Sequence, residues 1–214
     1  MPPPTPTWLY HFTHLDHLPS IVREGLIADT EVQARGLVVR EAGDREIKGR
    51  RRRRAVSVGP RGTVGDYVPF YFAPRSPMLY SISHGNVLTF QGRTSDLVYL
   101  GTTVELLEDF GADLVFTDRN AVLGYTEFTA DRTVWTAGGF IDWGLMRETY
   151  WNNTAEYPDR KERRMAECLV HRGVPWNAIL TVGVFDAQRK DLVEQVLVGA
   201  AHVPPVHVRR SWYF

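Results

Sequence analysis

The chain opens on an alternating stretch. In Trp8-Leu-Tyr-His-Phe-Thr13 successive side chains switch sides, the period of a strand, with His11 and Thr13 on one face and Tyr10 and Phe12 on the other. The spacing then changes. Leu15, Leu18, Ile21 and Val22 recur at helical intervals, and Gly25 stands where a helix C-cap belongs. Asp16 is the expected N-cap, leaving Pro19 in the first turn, where a missing N–H is tolerated. Asp66-Tyr-Val-Pro-Phe-Tyr-Phe72 reads as an aromatic strand interrupted by Pro69, with a turn at 73–77 and a short helix over 78–82. Further strands are expected at 97–100, 114–117, 166–170, 179–185 and, at an edge, 206–209. Helices are expected at 103–110 and 187–198. Two segments lack such patterns. Residues 28–61 are basic and poorly apolar, with room for one short helix, and residues 129–159 are rich in Trp, Thr, Gly and Asn. Both read as long functional loops. Short strands with few long helices predict a single-domain α+β fold with a mixed sheet core.

Composition narrows the picture. The chain has 214 residues, a length suited to one large domain, and 43% hydrophobic residues, enough to bury a substantial core. Its single cysteine excludes a disulfide framework and a cysteine-rich zinc cluster. No apolar run approaches the ~18–20 residues of a membrane span, and the Pro-rich start lacks the features of a signal peptide. A cytoplasmic protein is the expectation.

Charge sharpens it further. The 25 basic and 25 acidic residues cancel overall, yet residues 35–61 hold ten basic side chains against three acidic ones, including five consecutive arginines from Arg50 to Arg54. Guanidinium forks match phosphate in a bidentate way, so this segment and a second patch around Arg160, Lys161, Arg163 and Arg164 point to nucleic acid or a dinucleotide. A solvated loop that merely aids solubility is the alternative. No Gly-rich phosphate fingerprint or P-loop is present.

Several residues are candidates for chemistry. Glu167 interrupts the apolar run Ala166-Glu-Cys-Leu-Val170, as either a semi-buried functional carboxylate or a strand-end glutamate facing water. His11 is either a ligand-binding residue or a satisfied core histidine. His14, Asp16 and His17 fit no usual zinc spacing, so no metal is expected. Cys168 reads as a core thiol. Tyr67 or Tyr71 offers a stacking plane, and Trp135, Trp143, Tyr150 and Trp151 suggest a platform for unpaired bases.

These motifs resemble a known family. Tyr10-His-Phe-Thr-His-Leu-Asp-His-Leu-Pro-Ser-Ile-Val-Arg-Glu-Gly-Leu26, the block from Asp66 to Tyr80, Val115-Phe-Thr-Asp118 and Met165-Ala-Glu-Cys-Leu-Val170 resemble the DarT family of DNA ADP-ribosyltransferase toxins, in the family's order. The resemblance implies an ADP-ribosyltransferase-like fold and an enzyme that joins ADP-ribose from NAD⁺ to thymine N3 in single-stranded DNA. It also implies a DarG-type macrodomain antitoxin as partner, and we expect a monomer. By position, His11, Phe12 and Thr13 would hold nicotinamide and its ribose, and Ser20, Gly25 and Asp29 would lie near the dinucleotide, with Tyr71. Residues 35–53 would form the NAD-binding element, with Arg50 binding cofactor and Arg51 chosen as the catalytic arginine. Residues 120–167 would be the substrate-recognition loop, ending in the catalytic Glu167. DNA contacts are expected from Arg75, Met78, Asn120 and Trp143, and also from Trp151, Arg160 and Arg164. Two rival readings stand beside this one: transfer to RNA or protein on the same scaffold, and a single-strand binding module that uses no NAD⁺.

Overall fold

The structure is a computed structural model that describes residues 1–37, 45–90 and 92–214, with nothing said of the Arg45 side chain. Arg40, Glu41 and Asp44 of the basic segment lie outside the described residues. The first third holds β1 (Trp8–His14), α1 (Leu18–Glu24), β2 (Leu26–Ile27), α2 (Asp29–Ala34), α3 (Arg45–Arg53) and β3 (Tyr67–Tyr71). Then come α4 (Pro77–Ser83), β4 (Leu97–Thr103), α5 (Val104–Asp109), β5 (Leu114–Thr117), β6 (Phe128–Thr129), α6 (Arg132–Thr136) and α7 (Trp143–Arg147). The chain closes with α8 (Arg160–Arg163), β7 (Glu167–His171), β8 (Gly173–Val174), β9 (Thr181–Val184), α9 (Ala187–Leu197) and β10 (Val206–Val208).

Eight strands form one sheet in the order β10-β9-β4-β1-β3-β7-β5-β6, while β2 and β8 pair separately. Only β10 and β9 run parallel; the other pairs of the large sheet are antiparallel. On one face Leu9, Phe70, Val98, Leu100, Cys168, Val182 and Val184 form the core with Leu18 and Ile21 of α1 and Val193 and Leu197 of α9. The opposite face is covered as well, where Leu79 and Ile82 of α4 pack with Leu97, Tyr99 and Tyr213, so every residue of β4 is buried.

β1 and β3 pair at a single position, Tyr10 opposite Tyr71, whereas β1 pairs with β4 along its whole length. Beyond Tyr71 the two strands part. Pro69 sits in the gap, and its missing N–H leaves no orphan donor there. Its carbonyl accepts instead from His11 Nδ1 at 2.8 Å. The parting of the central strands makes room for a cavity.

Several expectations are corrected. Asp16 does not cap α1: His14 caps a 3-10 turn at Leu15–His17, accepting from the Asp16 backbone N–H, and α1 follows directly. The basic segment is not a loop with one short helix, because both α2 and α3 lie in it. The Trp-rich segment is likewise not an open loop. It carries α6 and α7, whose Asp131 and Asp142 side chains cap the first turns. Trp135, Trp143 and Trp151 are buried, at 1%, 3% and 6% exposure. Trp135 stacks on Phe116 at 4.4 Å and Trp143 meets Phe72 edge-on at 5.1 Å. Each indole removes ~200 Å² from water, worth at most ~5 kcal/mol, so the tryptophans hold this segment down on the sheet. Cys168 is buried and free, as expected of a core thiol. Among the described residues no helix is long and apolar enough to cross a membrane.

Candidate active site

A cavity of about 260 Å³ opens where β1 and β3 part, walled by α1, α2, α3 and the turn after α1. His11, Phe12 and Thr13 line it from β1, and Tyr71 from β3. Ser20, Gly25, Asp29 and Met78 line it too. Gly25 is required at its place: its φ is +83°, and an added Cβ would sit 2.5 Å from the Val174 carbonyl oxygen. Any larger residue would push the turn off β8.

The arginine run is resolved by helical geometry. Positions 47, 48 and 51 share one face of a 3.6-residue helix, and Ile47, Lys48 and Arg51 line the cavity. Arg50 is exposed on α3 and does not line the cavity. Arg52 turns back to Asp29 (Nε–Oδ2 2.6 Å), which Lys48 also approaches at 3.6 Å, and this ties α3 to α2. Arg54 reaches the Gly124 and Thr126 carbonyls. Five consecutive arginines thus do different jobs because each points 100° from the last.

α3 seats on the turn before β3. Gly65 permits this contact, since an added Cβ would lie 3.0 Å from Arg52 Cγ and 3.2 Å from its Cα. Asp66 locks the turn, accepting from Thr30 Oγ1 at 2.8 Å, Thr63 N at 2.7 Å and Thr63 Oγ1 at 2.9 Å. Burial pushes the Asp66 carboxyl up, but these hydrogen bonds outweigh it and hold the group below its ordinary range.

From this seat Arg51 grips Glu167 with both prongs, Nη1–Oε1 at 3.0 Å and Nη2–Oε2 at 2.8 Å. The Glu167 side chain is 1% exposed and that of Arg51 15%. The Ala121 N–H adds a longer bond to Oε1 at 3.4 Å. Burial alone would lower the Arg51 pKa, but the Glu167 charge and hydrogen bonds more than offset it, leaving the guanidinium above its ordinary value. Glu167 is therefore the semi-buried carboxylate, not a strand-end residue facing water. Tyr71 stands directly opposite Glu167 on β3, and burial followed by the Glu167 charge pushes its phenol up, so it stays neutral.

Burial drives the His11 imidazole down to about 4, partly opposed by its bond to Pro69. A carbonyl only accepts, so Nδ1 carries the proton and Nε2 keeps its lone pair. Thr13 Oγ1 pairs with His17 Nδ1 at 2.9 Å. Sequence reasoning offered Tyr67 as a stacking plane but missed His17 and Val68 as cavity residues, and covered Lys48 only within the 35–53 element. Lys48 was findable from its i,i+3 spacing to Arg51 once a helix was granted.

The expected DNA contacts fare unevenly. Trp143 and Trp151 are buried and present no open ring for stacking. Arg164 is buried as well, and it donates to the carbonyls of Leu145 (2.6 Å), Glu148 (3.3 Å) and Pro74 (2.9 Å). Burial lowers its pKa to about 10, still charged at neutral pH. It is a strut between α7 and the turn after β3. Arg160 pairs with Glu148 and donates to the Tyr150 carbonyl. Asn120 is half-buried, its side chain accepting from Val122 N and its carbonyl from Thr126 Oγ1. Arg75 adopts φ +58°, with its guanidinium 4.5 Å from the Phe214 ring centroid. Among the described residues no cluster of three or more His, Cys, Asp or Glu side chains is arranged to hold a metal.

A mixed sheet split between β1 and β3, with a buried carboxylate gripped by an arginine of the cavity wall, fits the ADP-ribosyltransferase class. Solved structures with this fold include Thermus sp. 2.9 DarT in complex with ADP-ribosylated ssDNA, with a TM-score of 0.91 and 33% identity over 100% of this chain and 99% of that one. The same protein in complex with NAD⁺ matches at a TM-score of 0.84 and 32% identity, over 99% of this chain and 100% of that one. A family model described as "ssDNA thymidine ADP-ribosyltransferase, DarT" matches residues 10–214, and the chain belongs to that family. A DNA ADP-ribosyl transferase of Thermus aquaticus is 36% identical over 99% of this chain and 90% of its own. A Thermosipho africanus fusion of a DNA ADP-ribosyl transferase with a DNA ADP-ribosyl glycohydrolase is 27% identical over 83% of this chain and 42% of its own.

Proposed function

We propose that the protein transfers ADP-ribose from NAD⁺ to thymine N3 in single-stranded DNA, releasing nicotinamide and blocking replication. The observation that carries this reading is the bidentate Arg51–Glu167 pair, in which Arg51 lines the cavity and Glu167 is buried behind it. Breaking the nicotinamide–ribose bond sends its electron pair to the departing nicotinamide and leaves positive charge on the ribose anomeric carbon. The Glu167 carboxylate, placed at the ribose 2′-hydroxyl, stabilises that charge as it develops. Thymine N3 then forms the new bond to this carbon and gives its proton to solvent water.

Arg51 favours the thymine anion by charge rather than by taking the proton. Its partner Glu167 raises the guanidinium pKa above a reference already beyond ~12, the wrong direction for a base. His11, with a free lone pair on Nε2, accepts a hydrogen bond from the dinucleotide, and Phe12 and Thr13 hold its nicotinamide end. Ser20, Gly25 and Asp29 flank the rest of the dinucleotide, beside an NAD-binding element at 35–53. Residues 120–167 recognise the DNA, with Arg75, Met78, Asn120 and Arg160 as contacts. In the cell the protein acts as a monomeric toxin in the cytoplasm, held in check by a macrodomain antitoxin that reverses the modification; the fused glycohydrolase of the Thermosipho protein supports this pairing.

The test is labelled NAD⁺ incubated in parallel with oligo-dT, RNA and total protein. Label on DNA alone is the expected result. Label on RNA or protein moves the activity to another acceptor, and no label anywhere removes the NAD⁺ chemistry.

A further inference from the structure

Directly opposed residues of an antiparallel sheet share a face. The registers Tyr71↔Glu167, Tyr10↔Tyr71 and Tyr10↔Gly101 set Glu167, Tyr71 and Tyr10 in one row across the face opposite the main core. Phe12↔Tyr99 and Tyr99↔Gly183 make a second row beside it. Gly101 and Gly183 leave the middle of this face without side chains, and Trp212 occupies the space: a Cβ on Gly183 would lie 2.4 Å from its ring. Trp212 meets Tyr10 edge-on at 5.2 Å, and Trp8 stacks against Tyr10 at 6.5 Å. The strip ends in two arginines, Arg209 at 5.8 Å from the Trp212 ring centroid and Arg210 at 3.8 Å from that of Phe185.

Trp8, Tyr10, Phe185 and Trp212 are half-buried, unlike the sealed tryptophans of α6 and α7, and Arg209 and Arg210 are exposed. Some exposed arginines elsewhere are paired, Arg35 with Glu24, Arg52 with Asp29 and Arg132 with Glu108. Among the described residues no carboxylate lies within 4.0 Å of the Arg209 or Arg210 guanidinium. Four strands lie between β7, which begins at Glu167, and β10, which leads into Arg209 and Arg210, five steps of ~4.8 Å or ~24 Å in all, the reach of a handful of extended nucleotides. Aromatic planes leading to unneutralised guanidinium groups are the combination that holds single strands without reading sequence.

We propose that this strip, from Tyr10 and Trp8 across Trp212 to Arg209 and Arg210, binds the nucleotides flanking the modified base. The inference rests on the single-strand reading above. It places one side of the DNA over the β4–β9–β10 half of the sheet, away from α3 and the dinucleotide cavity. Strand length then governs KM, while the chemistry at Glu167 is independent of the strip.

The experiment compares wild type with the double substitution Arg209→Ser, Arg210→Ser on thymidine-containing strands of ~4 and ~16 nucleotides, the range of single-strand site sizes. In the double variant KM for the long strand is expected to rise roughly tenfold at low salt, with the log–log salt slope shallower by ~1.4, or ~0.7 per lost phosphate contact. The kcat, and KM for the short strand, stay at wild-type values. An unchanged KM and salt slope on the long strand overturns the strip and leaves the transferase reading standing. A fall in kcat on both strands also overturns it, because the arginines then act at the centre. Failure of wild type to modify any single strand overturns both. Trp212→Leu, checked for an intact near-UV spectrum, is expected to raise KM on the long strand without changing the salt slope.

Discussion

Glu167 and Arg51 form a pair that neither residue can leave without consequence. Arg51→Ala strands a carboxylate that is 1% exposed, and removing one partner of a buried pair costs about 3–5 kcal/mol. Arg50→Ala removes an exposed side chain and is expected to change stability by less than about 0.5 kcal/mol. Denaturant unfolding of the two variants, with transfer rates alongside, checks this: Arg51→Ala should lose both stability and turnover, Arg50→Ala neither. His11 adds a pH dependence. Its folded value of about 4 lies below the ordinary 6.5, so as pH falls through that window the unfolded chain takes up a proton that the folded chain refuses. Stability is therefore full above about pH 6.5 and declines toward pH 4, by up to about 3 kcal/mol. His11→Gln should flatten part of that decline in unfolding measurements at pH 7 and 4.5; an identical decline in the variant would show that other groups cause it.

Elements decide where those residues stand. α3 owes its position to Gly65 and to the hydrogen bonds gathered by Asp66. Asp66→Ala should cost about 2 kcal/mol from bonds to a charged group. By loosening the seat of α3 it should also lower kcat more than it raises KM for NAD⁺; steady-state kinetics would show the opposite split if Asp66 served binding alone. This level explains what was legible in the sequence. β1 was visible through period-2 alternation, β3 through its aromatic run in spite of Pro69, and β7 as a short apolar run in which Glu167 stood out as the one charge. α3 was hidden because Arg50 to Arg54 carry no apolar period, so only tertiary contacts reveal which arginine turns inward. α6 and α7 were hidden for a different reason. Five residues are too few to show a helical repeat, and their tryptophans, surrounded by polar neighbours, looked exposed although the sheet buries them. The same misreading turned Arg164, a strut among three carbonyls, into an expected DNA contact.

At the scale of the whole molecule, a split sheet sets the cavity proposed for the dinucleotide beside a strip of half-buried aromatics. Thymine N3 is hidden inside a base pair, so the acceptor has to be unpaired or flipped. Binding should weaken as salt rises, since arginines release counterions from phosphate. Anisotropy titrations of a labelled single strand across ionic strength check this, and a flat salt response would mean that the exposed arginines do not touch the backbone. The most direct test of the central claim is the mass of a thymidine-containing strand after incubation with NAD⁺, read for wild type and Glu167→Ala on single-stranded and fully paired DNA. The account predicts one ADP-ribose added per modified thymine by wild type on the single strand. It predicts little addition on the duplex and none by a folded Glu167→Ala. It would be contradicted by a variant that keeps more than about a tenth of the wild-type rate, a loss under ~1.4 kcal/mol, or by duplex modified as fast as single strand.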